Sequence, residues 1–151
     1  MINVEVTHSF PVTVGDAFAY ITDTQNWSEY WPGFVRIEDS ERVSWDAPGD
    51  TVTVVIKLMG REVELDMTLE EFQQDSLVRY ASHQRGLPPA RHERRFTPAP
   101  SGFDYTLSVS FDPRPGPKGI FDRVVVKRAV ASALRETTKN LERVFDQRQR
   151  G

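Results

Sequence analysis

The residues best suited to chemistry in this sequence are three histidines, and no cysteine accompanies them. The missing thiols exclude disulfides, thiolate catalysis and cysteine-ligated metals. His83 and His92 flank a short loop and could face each other across a hairpin, but two histidines without a third ligand do not make a metal site. His8 alternates onto the apolar side of the first strand, a pattern typical of a satisfied core histidine, although a proton-handling role is open. We therefore expect no metal.

One strand combines a histidine with an arginine on the same face. His92, Arg94 and Phe96 alternate, so an inward Phe96 would bring the other two inward as well. A buried guanidinium is costly unless it is paired or open to water in a cavity. An inward Arg94 would therefore mark a polar wall able to hold a ligand carboxylate, phosphate or carbonyl. The alternative, slightly favoured by the burial cost, is a strand that twists at its end and leaves Arg94 and Arg95 in solvent.

Two tyrosines add candidate hydrogen-bond donors. The strand at 77–84 has two possible phases, and the one that buries less charge turns four residues inward: Val78, Tyr80, Ser82 and Gln84. Tyr105 lies on a strictly alternating apolar face, where its hydroxyl needs a partner. Either tyrosine could orient a ligand, or could simply belong to the core.

Other catalytic signatures are missing from the sequence. There is no Gly-rich phosphate loop, no HExxH and no GxSxG, so nucleotide chemistry and the common hydrolytic mechanisms are not indicated. The acids at 62, 64, 66 and 70 alternate with apolar residues and should face solvent on a wet sheet face. No pair of acids suggests general acid–base catalysis.

Composition and charge describe an ordinary globular chain with a basic end. The 151 residues are 38% hydrophobic and 27% charged, which predicts a single domain over 1–151. No apolar run approaches the ~20 residues of a membrane span and no signal peptide is evident, so we expect a cytoplasmic protein. Residues 1–113 carry 9 basic and 18 acidic side chains, whereas residues 114–151 carry 10 and 4. The basic end is either a solvated helix face, the commoner case, or a surface for an anionic partner.

The periodicity of the apolar residues predicts the elements that position these side chains. Alternation predicts seven strands: the first ends at Phe10, and six others follow two short helices at 14–21 and 27–31. The second strand lies within 34–45, and a bulge at 39–40 is left open. Helical spacing predicts a final helix over 117–148, which at ~48 Å would cross the whole domain. The run Val124-Val125-Val126 in this helix has a low helix propensity, and we expect packing to override that propensity.

This order of elements predicts an α+β fold with the long helix lying across one face of an antiparallel sheet. The buried stripe of that helix becomes small in its middle, at Ala129, Ser132 and Ala133. Small residues opposite a concave sheet could leave an unfilled space. They could equally allow the sheet to approach the helix closely, and spacing alone does not decide.

Several segments resemble a known superfamily. Phe10-Pro11-Val12-Thr13 leading into a short helix, then Trp27-x-x-Tyr30-Trp31-Pro32, is similar to the start of START-like proteins of the Bet v 1 type, and most of all to the bacterial polyketide cyclase/dehydrase branch. Tyr80, Phe96-Thr97-Pro98 and the Pro-Gly-rich segment at 113–119 also match. The resemblance implies a helix-grip: a seven-stranded curved antiparallel sheet around a long C-terminal helix, with two short helices after strand 1. It also implies an apolar ligand between helix and sheet, which favours a cavity of ~300–1,000 Å³.

We therefore predict that the chain binds or transports a hydrophobic small molecule, lipid-like or polycyclic, without a cofactor or a nucleic-acid partner. The predicted polar contacts are Tyr80, Gln84, His92, Arg94 and Tyr105. The predicted apolar contacts are Trp31, Phe34, Val54, Ile56, Leu65, Met67, Phe121, Val125 and Ala129. The aromatic residues at 27–34 are either core packing or guards of the cavity mouth.

Two alternatives stay open. One is a polyketide cyclase/aromatase or dehydratase, in which Arg94 would polarise a carbonyl and His92 or Tyr105 would move protons. The other is a membrane- or protein-docking module that uses the basic C-terminal helix. Either a monomer or a homodimer is compatible with the sequence.

Overall fold

Strands and helices account for most of residues 1–38 and 44–150, which are the residues described by our computed structural model of the chain. The strands are β1 (Ile2–Phe10), β2 (Phe34–Ile37), β3 (Thr51–Leu58), β4 (Arg61–Gln73), β5 (Leu77–His83), β6 (Ala90–Ala99) and β7 (Gly102–Phe111). The helices are α1 (Val14–Thr22), α2 (Trp27–Tyr30), α3 (Pro117–Phe121) and α4 (Lys127–Arg150), with a 3₁₀ turn (Thr24–Asn26) before α2 and a π-helical turn (Asp122–Val126) before α4.

The seven strands form one antiparallel sheet in the order β1-β7-β6-β5-β4-β3-β2. The predicted α+β helix-grip architecture is confirmed, because the sheet curves around the long C-terminal helix. Strand β2 is shorter than the predicted segment 34–45, and its register is irregular between Phe34 and Arg36. The bulge predicted at 39–40 lies outside the described residues.

Strand β6 continues to Ala99 because a proline is tolerated near its end. Pro98 pairs with Phe103 of β7. Two residues earlier, the Phe96 N–H bonds to the Ser76 carbonyl on the opposite side of the strand, and the N position of Pro98 faces that same side. Strand β5 begins only at Leu77, so no neighbouring strand there needs the N–H that proline lacks.

The C-terminal helix is continuous but not uniform. In α4, Leu134, Leu141 and Phe145 are buried in the core. The expectation that packing would force 124–126 into an α-helix is wrong: this run lies in the π-helical turn, and Val124 and Val125 are 47% and 38% exposed. β-Branched side chains crowd the preceding helical turn, and at 124 and 125 no core contact compensates for that crowding.

Two contacts define the edge of the sheet where β1 meets its neighbours. His8 is not a core residue: its side chain is half-exposed, and Nε2 lies 3.2 Å from Glu142 Oε2 on α4. Gly102 opens β7 directly against the end of β1, where a Cβ would lie 1.9 Å from the Phe10 carbonyl oxygen. Only glycine fits there, because its missing Cβ lets the two backbones approach.

Candidate ligand-binding site

A cavity of about 630 Å³ lies between the concave face of the sheet and the C-terminal helix. Ala129 and Ala133 of α4 form part of its wall, opposite inward residues of β3 to β7. These two small residues therefore leave space and do not bring the sheet closer, whereas Ser132 was wrongly placed in the buried stripe and is exposed. The volume falls within the ~300–1,000 Å³ range of ligand pockets.

Most of the predicted contact residues are brought together around this cavity. They are Trp31, Ile56, Leu65, Met67, Tyr80, Gln84, His92, Arg94, Tyr105, Phe121 and Ala129. Phe34, Val54 and Val125 are not among the lining residues. Phe34 packs beside the Trp31 ring at 5.9 Å between centroids, Val54 is fully covered in the core, and Val125 points outward at the π-helical turn.

A connected set of polar side chains lies on adjacent strands inside the cavity. Arg94 Nη2 donates a 3.0 Å hydrogen bond to the Tyr80 hydroxyl. The Tyr80 ring stacks on His92, with centroids 4.4 Å apart and planes at 5°. A 2.7 Å hydrogen bond joins His92 Nε2 to Ser82 Oγ. This order follows from the pairing of β5 with β6, which sets Tyr80 opposite His92.

The prediction that Arg94 lies in solvent is wrong. The alternation of β6 continues through this part of the strand, so Phe96 is buried and Arg94 faces the cavity with it. Arg95 points outward instead and pairs with Glu93 at 2.6 Å. The favoured phase of β5 is correct, because Val78, Tyr80 and Ser82 are buried while Arg79 and His83 are exposed.

Two buried nitrogen atoms of this set have no hydrogen-bond partner in the described part of the chain: Arg94 Nη1 and His92 Nδ1. The Tyr105 hydroxyl also interacts with Arg94, but it does not satisfy Nη1. Two carboxylates line the cavity, Asp112 and Asp122. The first is exposed, and the second is held by Arg114 at 2.7 Å. The positive charge of Arg94 therefore has no carboxylate partner among the described residues.

The ionisation of the set is fixed by burial. Burial, and then the charge of Arg94, lowers the pKa of His92 to about 3, so the imidazole is neutral at physiological pH. Burial also raises the pKa of Tyr105 and Tyr30. Arginine stays protonated in proteins. The connected set of Tyr80, Ser82, His92 and Arg94 thus presents one cation and several neutral polar groups. This combination suits an anionic or carbonyl oxygen better than proton transfer near pH 7.

Several wall residues were not predicted, and the clearest is Trp45. It is buried, lines the cavity and packs edge-on against Tyr80 at 5.7 Å and Trp27 at 5.8 Å. The sequence analysis did not identify Trp45 as a cavity residue, because the sequence pattern placed it at the end of a strand, just before the turn at 47–50. Trp27 and Tyr30 are both core and wall, and each donates its polar hydrogen to the Ile21 carbonyl, at 3.2 and 2.7 Å.

The hairpin arrangement of two histidines does not occur. His83 pairs with Asp66 of β4 and is exposed on the outer face, whereas His92 faces the cavity. In residues 1–38 and 44–150 there is no cluster of three or more potential metal ligands. Within the same ranges, no helix combines the length and apolarity needed to cross a bilayer.

The curved sheet, the gripped helix and the cavity between them define a helix-grip protein. The chain belongs to the family described as polyketide cyclase / dehydrase and lipid transport, which matches residues 1–146. The START-like resemblance of the sequence is thereby confirmed. Membership supports hydrophobic ligand binding or polyketide cyclisation at the level of the family.

Solved structures share this fold at low sequence identity. The di-domain ARO/CYC StfQ from the steffimycin biosynthetic pathway matches with a TM-score of 0.80 and 16% identity, over 99% of this chain and 52% of that one. TTHA0849 from Thermus thermophilus matches at 0.77 and 16%, over 94% and 95%. A START superfamily protein from Mycobacterium smegmatis matches at 0.75 and 12%, over 96% and 97%. No curated protein matches the chain in sequence.

Proposed function

We propose that this protein binds a lipid-like or polycyclic small molecule whose oxygen-bearing end is held at Arg94. The observation that carries the proposal is the buried Nη1 of Arg94 on the wall of a mainly apolar cavity, where no described residue offers it a hydrogen bond. A carboxylate, enolate or phenolate oxygen would complete the hydrogen bonds of that nitrogen and balance its charge.

The two parts of the site contribute differently to binding. A ligand that buries ~200 Å² of apolar surface gains ~5 kcal/mol at ~25 cal/mol per Å², and part of this is offset by lost motional freedom. A hydrogen bond to a charged group adds ~1.5–3 kcal/mol. The apolar walls therefore supply most of the affinity, whereas Arg94 supplies orientation and preference for an oxygen-bearing end.

The cavity is tested with a neutral fluorescent probe, N-phenyl-1-naphthylamine, and two variants of neighbouring positions. Ala133→Phe places a large side chain in the cavity wall, whereas Ser132→Phe places the same side chain on the exposed side of α4. We expect Ala133→Phe to weaken probe binding at least about tenfold, the loss of roughly 1.4 kcal/mol of contact, and Ser132→Phe to leave it unchanged.

Native mass spectrometry of the purified protein provides the second readout. We expect an apolar molecule to remain bound to the wild type and to be lost from Ala133→Phe. If the wild type binds no probe, or if both variants bind it equally well, the cavity is not the binding site and the proposal is wrong.

A second candidate function is cyclisation of a poly-ketone chain, favoured by the same Arg94 nitrogen. In a cavity that excludes water, Arg94 Nη1 together with the Tyr80 hydroxyl could stabilise a developing enolate oxygen. The low pKa of His92 and the raised pKa of Tyr105 make both poor proton carriers near neutral pH. Turnover of a poly-β-ketone mimic that is lost in Arg94→Met but kept in His92→Gln would establish this activity. If no product forms, only binding remains.

A further inference from the structure

Exposed apolar residues of the described chain concentrate in one place. Seven large hydrophobic side chains are strongly exposed, and four of them fall within one short segment: Ile120, Phe121, Val124 and Val125. Ile120 is the most exposed of the four, at 71%. Their spacing of one, three and one residues puts them on one side of α3 and the π-helical turn. An exposed apolar cluster of this kind marks an interaction surface.

This cluster lies beside the opening of the cavity. Phe121 is 43% exposed and also lines the cavity, so it belongs to the rim. Met59, at the turn between β3 and β4, is a second rim residue and is 57% exposed. We call these five residues the mouth patch: Met59, Ile120, Phe121, Val124 and Val125.

The segment that carries the patch is held rigidly in this outward orientation. Asp122 accepts hydrogen bonds from the Arg114 backbone at 2.8 Å and from its guanidinium at 2.7 Å. Gly119 is buried against the same loop, where a Cβ would lie 2.4 Å from the Arg114 carbonyl oxygen. These contacts with Arg114 therefore fix the segment with its apolar face toward solvent.

Several of the cations near the patch have no ion-pair partner among the residues that the structure describes. Residues 114–128 contain five basic and one acidic side chain, a net charge of +4, and the acid is Asp122, already bound to Arg114. Arg123, Lys127 and Arg128 are exposed and form no ion pair with another described residue. These charges favour an anionic surface.

We propose that the mouth patch docks on an anionic lipid bilayer and turns the cavity opening toward the membrane. An apolar helical face flanked by lysine and arginine inserts at the headgroup boundary, while the cations bind anionic headgroups. A protein partner fits less well, because charged residues are depleted from the core of protein interfaces, whereas cations flank this patch closely along the chain. Docking itself does not need a ligand. Only its use, the exchange of an apolar ligand with the membrane, rests on the proposed function.

Co-sedimentation with vesicles tests the docking. Vesicles of phosphatidylcholine alone are compared with vesicles in which about 30 mol% of the lipid is anionic phosphatidylglycerol. This fraction gives the vesicles a strong negative surface charge. We expect binding to the anionic vesicles only, and release at about 0.5 M salt because the attraction is screened.

Two pairs of variants locate the contact. Arg123→Glu/Lys127→Glu reverses two charges at the patch, and Arg135→Glu/Lys139→Glu reverses two exposed charges about 18 Å further along the helix. We expect the first variant to bind anionic vesicles at least about tenfold more weakly, since each cation near the surface contributes about fivefold. We expect the second to lose at most about threefold, through net charge alone. Thermal melting confirms that both variants are folded.

Insertion is measured with a fluorophore, since the chain has no cysteine. Ile120→Cys and the control Val35→Cys, an exposed position on β2, are labelled with a polarity-sensitive dye. We expect a blue shift on anionic vesicles for the first label only.

The proposal is overturned if the wild type does not bind anionic vesicles, if both charge variants lose binding equally, or if neither label shifts. Self-association of the wild type that Ile120→Asp abolishes, without vesicle binding, would assign the patch to a second copy of the chain and also overturn it. Probe binding in the cavity is measured separately, so that failure of docking does not count against the proposed function.

Discussion

Replacing Arg94 with methionine separates a role in binding from a role in stability. Methionine has a similar length and no charge, so the cavity wall stays filled while the cation is removed. Arg94 makes a single hydrogen bond of standard geometry, to the Tyr80 hydroxyl at 3.0 Å, and no ion pair within the described residues. Its removal therefore leaves no buried carboxylate without a partner, which is what usually makes the loss of a buried charge so destabilising.

The effect on stability is the sum of two opposing contributions. Replacing a buried ionic group with an apolar one is often neutral or stabilising by about 1–4 kcal/mol. Leaving the Tyr80 hydroxyl without its donor costs about 1–3 kcal/mol. The sum runs from a loss of about 2 kcal/mol to a gain of about 3 kcal/mol. For a chain of this size each kcal/mol shifts Tm by roughly 2–4 °C.

The effect on binding depends on the probe. Anilinonaphthalene sulfonate and N-phenyl-1-naphthylamine share the same rings, but only the first carries an anionic group. Losing a charge-assisted hydrogen bond of about 1.5–3 kcal/mol predicts that Arg94→Met binds the sulfonate roughly 10- to 150-fold more weakly. We expect the neutral probe to change by less than about threefold. Arg95→Met, on the exposed face of the same strand, is the control for net charge.

Fluorescence titrations and thermal melts measure both effects in the same variant. A fall in Tm of more than about 8 °C would exceed the largest expected loss and would show that Arg94 serves the fold. If the affinity for both probes fell equally, the guanidinium would not discriminate between ligands with and without an oxygen-bearing end. The proposal that Arg94 holds that end would then be wrong.

Two further predictions concern stability. The folded pKa of His92, about 3, lies below its ordinary value of 6.5, so the neutral form stabilises the fold above pH 6.5 and this contribution is lost as the pH falls toward 3. Urea unfolding should show that the wild type loses up to about 1.4 kcal/mol per pH unit more than His92→Gln in that window, and parallel curves would contradict the assignment. Gly102→Ala should lower the free energy of unfolding by about 2–4 kcal/mol, because the new Cβ meets the Phe10 carbonyl. The control Gly60→Ala should lower it by only about 1 kcal/mol of backbone strain, because nothing lies within 4 Å of that position. Equal losses for the two variants would refute the steric argument.

The architecture was predictable because it depends on local periodicity. Alternation in β1 and β7 and helical spacing in α4 report which face of each element is buried, and that information is present in the residue order. The prediction was weaker where local preference and tertiary contact disagree. Pro98 lies inside β6 because its neighbour β5 has already ended, which no local pattern encodes.

The candidate site was predicted in part. Tyr80, His92 and Arg94 were identified from alternation, but the burial cost of a guanidinium favoured the wrong orientation for Arg94. That cost is real, and the structure relieves it only in part, through the Tyr80 hydroxyl and the space of the cavity. Trp45 was missed because its role depends on packing against Tyr80 and Trp27, which are distant in sequence.

By itself the sequence determined the class of fold, the inward phase of β5 and the basic character of the last helix, since each of these follows from residue type and spacing. Only the tertiary structure decided that the middle of the helix leaves a cavity and that Ile120 and Val124 remain outside the core. It also decided that Arg94 enters the cavity without a carboxylate partner within residues 1–38 and 44–150. The reason is that voids and unpaired charges are relations between elements far apart in sequence, whereas periodicity describes one element at a time.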